Sequence, residues 1–162
     1  MIRGLLAGLL LLLSACASQA PLPERMPTLA LPLQLHIERQ LDGQRQDWLL
    51  VIQRESAGIR WSMMDMDPLG IPVARQRLVD SQWQADGLLP PNAEARELFA
   101  ALLFALTPEA ELAGRYPTAR QQDARRTLDA RWQVRYAQPL DFQLSLPQGP
   151  HYRITPLSES AQ

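Results

Sequence analysis

The 162-residue chain has one cysteine, no lysine, two histidines and a formal net charge of only -1. Each scarcity removes a class of chemistry. A single thiol excludes an internal disulfide, a zinc-thiolate centre and dithiol redox work. A near-neutral balance provides no general field for drawing in nucleic acid, which is not expected as a partner. All basic residues are arginine, which points to a GC-rich genome rather than to a function. No Gly-x-Ser-x-Gly, His-Glu-x-x-His or phosphate-loop motif occurs. His36 and His151 lie far apart with no carboxylate pattern for zinc, so no metal, cofactor or catalytic residue is expected. There is also no long hydrophobic run, since the apolar stretch over 5–13 falls short of the roughly 20 residues a membrane-spanning helix needs.

What is present begins at the N-terminus. Arg3, the apolar run and the small residues after it make a secretory signal peptide over 1–15. Its end, Leu13-Ser14-Ala15-Cys16, resembles the lipobox of bacterial lipoproteins, which implies that Cys16 carries diacylglycerol and becomes the first mature residue. Ala17 and Ser18 follow in place of the aspartate that typically retains lipoproteins in the inner membrane. The resemblance therefore implies lipid anchoring in the outer membrane, facing the periplasm. Removing 1–15 leaves 147 residues with a net charge of -2, because Arg3 is lost. A domain near that size buries about 68–70% of its extended surface and needs no disulfide.

Residues 16–32 hold prolines at 21, 23, 27 and 32 and read as an extended, polyproline-like tether. At about 3.1 Å per residue it would reach up to ~50 Å, unless the apolar stretch over 29–33 docks on the domain. The domain is expected over 33–157 and a polar tail over 158–162. Leu33, Leu35, Ile37 and Leu41 alternate with polar residues, Asp42-Gly43 is a hairpin turn, and 47–54 returns as a run apolar enough for contact on both faces. Further strands are expected over 59–63, 73–79 and 82–85. Asn92 is a good N-cap for a helix over 93–106, with Glu94 in the first turn. The second half of that helix is apolar all round, so it cannot lie on a half-wet surface. Thr107-Pro108-Glu109 starts a second helix that Gly114 ends. Strands over 126–130, 132–137, 141–146 and 151–155 follow.

The fold expected is mainly β (α+β): a curved antiparallel half-barrel of about nine strands with the helical pair on its concave side. A closed eight-stranded barrel of lipocalin type with a surface helix is the competing architecture.

Within this order of elements, Met66-Asp67-Pro68-Leu69-Gly70 resembles the Asn-Pro-Leu-Gly loop of the LolB family of outer-membrane lipoprotein receptors. Leu88-Leu89-Pro90-Pro91-Asn92 leading into the apolar helix, followed by Thr107-Pro108-Glu109, is similar to the same family's helix entry and exit. The chain is closer still to LolB-like lipoproteins encoded with aryl-polyene biosynthesis genes, through the Pro-Leu-Gly loop, the leucine-rich helix and Tyr152-Arg153-Ile154-Thr155. The likeness implies a LolA/LolB-like fold, a hydrophobic cargo and a periplasmic LolA-like carrier as partner. It also implies a membrane-contact loop at Pro68, Leu69 and Gly70. The sequence departs from the family in placing Ile71 and Pro72 after Gly70.

Leu69 has two readings, a tip that reaches the bilayer or a side chain folded back on the core. A cargo concavity would be lined by Trp48, Trp61, Met63, Trp83, Phe99, Leu102 and Trp132; the alternative is that these are plain core. Asp65 and Asp67 read as turn formers. Arg120, Arg125, Arg126, Arg131 and Arg135 form either a headgroup patch or a solvated face paired with Asp123 and Asp129. The expectation is a non-catalytic outer-membrane lipoprotein, anchored through Cys16, that binds and delivers a lipid-like or lipidated cargo, with an aryl-polyene lipid favoured. Alternatives are a structural or assembly lipoprotein with a filled core and, below it, a periplasmic lipid hydrolase.

Overall fold

Ten strands form one open antiparallel sheet in the computed structural model, which describes residues 19–147 and 149–157. The lipobox, Cys16 and the 158–162 tail lie outside the described residues. The first half of the sheet comprises β1 (Leu33–Leu41), β2 (Gln44–Glu55), β3 (Gly58–Asp65), β4 (Pro72–Val79) and β5 (Gln82–Ala85). Two helices follow, α1 (Ala93–Leu106) and α2 (Glu109–Arg115). The second half comprises β6 (Ala119–Gln122), β7 (Arg125–Leu128), β8 (Trp132–Gln138), β9 (Asp141–Ser145) and β10 (His151–Pro156). The spatial order is β5-β4-β3-β2-β1-β10-β9-β8-β7-β6, so every neighbour pair except β1–β10 joins strands consecutive in sequence. The sheet ends at β5 and β6 without closing, which sets aside the closed barrel.

Contacts with α1 show how strongly the sheet is rolled. Phe99 lies 6.0 Å from Trp83 of β5, and Phe104, five residues on, lies 5.7 Å from Trp132 of β8. Seven strand intervals separate β5 from β8, about 34 Å in a flat sheet at about 4.8 Å per strand. Both can touch one helix only if the sheet curls around it. This accounts for a helix buried on every side: all side chains from Leu98 to Ala105 are within the core.

Period-two alternation supplies the lining. Leu35 and Ile37, Trp48, Leu50 and Ile52, Ile59, Trp61 and Met63, and Tyr152 and Ile154 all point inward and are buried. The apolar run in β2 is not buried on both faces as expected, because Leu49 and Val51 are half-exposed on the outer face. Asp42 and Gly43 both take positive φ, 51° and 76°, in the anticipated hairpin turn.

Three other expectations change. There are ten strands rather than nine, because Ala119-Arg120-Gln121-Gln122 pairs with β7 in regular register without any hydrophobic alternation to announce it. Gly114 does not end α2, which runs on to Arg115, with the Tyr116 amide donating to the Leu112 carbonyl. Thr107 does not cap α2; its hydroxyl donates to the Leu103 carbonyl at 2.8 Å and so closes α1 instead.

The described part of the proline-rich stretch, from Gln19 to Pro32, lies on the domain rather than standing off as a tether. Pro23, Pro27 and Leu29 are buried, and Ala20, Leu22, Met26 and Leu31 pack against the core. The Glu24 amide donates to Arg115 O at 2.9 Å and the Thr28 amide to Glu111 Oε2 at 3.2 Å, which ties the segment to α2. Prolines suit this role because they keep the chain extended while presenting apolar rings.

Candidate functional site

Asn92 begins α1 as expected, its side-chain oxygen accepting from the Ala95 amide at 3.0 Å. The helix enters a sheet that already carries most of the chain's aromatic residues. Trp61, Trp83 and Phe99 form one cluster, with ring centroids 5.5 to 6.0 Å apart, and Phe104, Tyr116 and Trp132 form another. Of the seven residues expected to line a concavity, Trp48, Trp61, Met63, Phe99, Leu102 and Trp132 are at most 5% exposed. They pack as core around α1. The seventh, Trp83, is half-buried and borders an open groove of about 660 Å³. Ala20 and Leu22 of the docked segment line its other side, with Pro91, Arg96 and Glu97 at the start of α1. Trp48 and Met63 border a small recess of about 100 Å³. The indole N–H groups of Trp61 and Trp83 have no hydrogen-bond partner among the described residues.

Inward-facing polar residues fix the helix. Arg39 falls in phase with Leu35 and Ile37 on the inner face of β1, and its guanidinium grips both oxygens of Glu94, at 2.5 and 3.0 Å. Tyr152 donates to the same carboxylate at 2.9 Å. The Arg39 hydrogen bonds hold the Glu94 carboxyl below its ordinary value, while burial pushes the Tyr152 hydroxyl up. One turn on, Glu97 accepts two bonds from Arg131, at 2.8 and 2.7 Å, and one from the Trp132 indole at 2.7 Å. Burial opposes ionisation of Glu97, but these donors outweigh it and its pKa is lowered.

Arg126, 4% exposed, closes the other end of α1. Its Nη1 donates to the carbonyls of Phe104, Ala105 and Thr107, at 2.9, 3.3 and 2.7 Å, and its Nε to Gln121 Oε1 at 2.8 Å. Its guanidinium also lies over the rings of Phe104 and Tyr136, and the Tyr136 hydroxyl donates to the Ala105 carbonyl at 2.7 Å. A cation there complements the negative end of the helix dipole. Burial raises the Tyr136 pKa to about 12, so the hydroxyl stays a donor at neutral pH.

The arginine group that looked contiguous in sequence is therefore dispersed. Arg126 is internal, Arg131 holds Glu97, Arg125 donates to Gln133, and Arg120 and Arg135 are exposed. The Asp129 carboxylate accepts from the Thr118 hydroxyl at 3.0 Å. The signal for Arg39 and Arg126 was available: each is an arginine at a position whose phase along the strand points inward, and such a residue must have a partner.

The loop after β3 presents its residues outward. Asp67 Oδ1 accepts from the amides of Leu69 and Gly70, at 3.1 and 2.9 Å, and the Gly70 amide also reaches Asp67 O. Pro68 limits the backbone on one side and Gly70 takes φ 57° on the other. At the loop's base the Asp65 amide donates to Ile71 O and the Met66 amide to Asp47 O. On this tied turn Leu69 is 79% exposed rather than folded onto the core, with Ile71 at 51% and Met66 at 47%.

The two histidines sit elsewhere. His36 contacts Asp47 at 2.7 Å on the outer face, and His151 Nδ1 meets Ser145 Oγ at 3.1 Å in an exposed position. No carboxylate hydrogen-bonds His151 among the described residues, so this contact lacks the orienting acid of a triad. The described residues also hold no group of three His, Cys, Asp or Glu side chains placed to bind a metal. Taken together, the geometry offers a partly apolar groove beside Trp83 and a stiff loop with an exposed leucine at its tip. Set against family models and curated proteins, the chain matches none.

Proposed function

We propose that this protein is a non-catalytic lipoprotein of LolB-like architecture that carries a lipid-like or lipidated cargo and delivers it to the outer membrane from the periplasmic face. The observation that carries the reading is Leu69, a large apolar side chain held 79% exposed by a turn whose backbone is tied at tip and base. Burying that side chain in a bilayer would contribute about 1.5 to 3 kcal/mol, enough for contact and too little for anchoring. Anchoring falls to diacylglycerol on Cys16, and a periplasmic LolA-like carrier supplies the cargo.

The groove beside Trp83 is the cargo site in this reading. Two bidentate ion pairs and the Arg126 cap hold α1 in place, whereas the two backbone amides of Glu24 and Thr28 tie down the N-terminal segment. In this reading the stretch over 19–22, which borders the groove and precedes the buried anchors Pro23, Pro27 and Leu29, is the part that lifts to admit an acyl or polyene chain. The likeness to lipoproteins of aryl-polyene clusters favours a polyene lipid.

Native mass spectrometry of the full chain extracted from producing cells tests the carrier reading, and a co-purifying lipid is the expected result. Protein that is consistently empty favours the second reading, a structural or assembly lipoprotein, for which six of the seven inner residues being packed shut already speaks. Leu69→Glu is expected to abolish delivery to acceptor vesicles while cargo binding persists. Unchanged delivery would remove the loop from the mechanism.

A further inference from the structure

Four large hydrophobic residues are exposed among the described residues, and only three belong to the β3–β4 loop. The fourth is Leu88, fully exposed at 103%, in the connection between β5 and α1. Sheet register directs both connections to one end of the molecule. β5 runs antiparallel to β4 with Ala85 opposite Gln76, so the chain leaves β5 heading toward Pro72 and the β3–β4 loop. Asp86 then accepts from Arg60, Arg75 and Arg77, at 2.9, 2.9 and 3.0 Å, which pins the start of the connection to β3 and β4. Its far end, Asn92, borders the same recess as Met63 and Val73, beside the roots of the β3–β4 loop. Pro90 and Pro91 stiffen the chain between these two fixed points.

We propose that Leu88 is a second membrane-insertion point, so that Leu69 and Leu88 dock this end of the sheet on a lipid bilayer as a pair. The inference deepens the membrane-contact reading above and rests on it. The apolar area argues for lipid rather than protein. Met66, Leu69, Ile71 and Leu88 together offer on the order of 400 Å², about half of what one partner contributes to a stable protein interface. Separated tips on pinned loops suit a fluid acyl phase, which closes around each tip, better than a solid partner that must match both. Two points of contact also fix orientation. A single leucine leaves the domain able to rotate about it, whereas two hold the sheet end against the surface. Asp65 and Asp67 flank the Leu69 loop, and the arginines at this end are paired, Arg75 with Asp86 beside Leu88 and Arg45 with Asp47, so the contact depends chiefly on apolar burial.

The test uses the full chain reconstituted in vesicles of phosphatidylethanolamine and phosphatidylglycerol. Leu69→Cys, Leu88→Cys and Ser56→Cys, the last on the exposed β2–β3 turn at the opposite end, are each labelled with an environment-sensitive fluorophore. The unsubstituted chain serves as the background for Cys16. Blue-shifted emission and quenching by acyl-chain nitroxide lipids are expected at 69 and 88 and not at 56. Insertion at 69 without 88 overturns the paired docking and leaves the proposed function standing. Insertion at neither overturns both, and insertion at both with no cargo transfer leaves the docking intact while the delivery reading fails. A shift at 88 that appears without vesicles as protein concentration rises would mean that a second copy covers Leu88, and would also overturn the proposal.

Discussion

Replacing Arg126 by methionine removes one cation from the end of α1 while keeping the length of its apolar stem. The cost follows from what each former partner retains. The Phe104 carbonyl keeps the Thr107 amide at 3.3 Å, and the Ala105 carbonyl keeps the Tyr136 hydroxyl. The Thr107 carbonyl, on a residue 2% exposed, depends on Arg126 and would be left buried and unpaired, at about 1 to 3 kcal/mol. The weakened bonds at the other two carbonyls and at Gln121 add about 1 to 2 kcal/mol, and relief of the buried charge returns about 1. Arg126→Met should therefore lose about 1 to 4 kcal/mol, which at about 3 °C per kcal/mol for a domain of this size lowers Tm by roughly 3 to 12 °C. Urea unfolding followed by tryptophan fluorescence measures it, with exposed Arg120→Met as a control that stays within about 0.5 kcal/mol. Because Arg126 and Tyr136 share the Ala105 carbonyl, Tyr136→Phe should cost more when combined with Arg126→Met than alone. A loss no larger than that of Arg120→Met, or strict additivity with Tyr136→Phe, would refute the idea that Arg126 holds the helix end.

Gly58→Ala should cost more than about 3 kcal/mol by the same unfolding measurement, since an added Cβ at φ +119° would meet Leu78 O at 2.3 Å, a backbone atom that cannot swing aside. Phe99→Ala should lose about 3 to 5 kcal/mol by opening a void between Trp61 and Trp83, and the near-ultraviolet circular dichroism of the indole pair should fall with it. Glu94→Gln should show a pH signature. Arg39 and Tyr152 hold the folded-state carboxyl below its ordinary value of 4.5, so its stabilisation is complete above that pH and fades as pH falls through the lower folded value. The stability gap between the two proteins should be open near neutrality and close in acid; a gap that widens in acid would contradict the assignment.

Much of this architecture was legible because burial writes itself into periodicity. The apolar girdle from Leu98 to Leu106 required a sheet on several sides, and the alternation in β1 and β3 named their inner faces. Features set by partners distant in sequence were not legible. Nothing near Gln19 to Pro32 says that Pro23 and Pro27 are buried on the domain, because an extended proline segment reads alike whether solvated or docked. Strand β6 has no apolar face and exists because β7 offers it a ladder. The seven residues expected to line a cavity do lie inward, yet composition does not reveal whether a helix fills the space they enclose. Trp83, on the edge strand, keeps an open side along the groove. The exposure of Leu88 is not legible in the sequence, because Leu88-Leu89-Pro90-Pro91 has the composition of a helix entry and its exposure depends on how Asp86 and Asn92 fix the chain to either side.

The β1–β10 seam has a consequence for how the molecule forms. It pairs Leu35 with Pro156 and Gln40 with His151, whereas every other ladder joins neighbouring hairpin strands. Each five-stranded meander can assemble from local contacts, but the seam must wait until ends more than a hundred residues apart meet, and loop-closure entropy makes that step slow. Folding kinetics should accordingly be governed by one encounter between two half-sheets, with α1 trapped as they meet. Substitutions along the seam would then slow refolding, while those in the outlying hairpins would chiefly hasten unfolding.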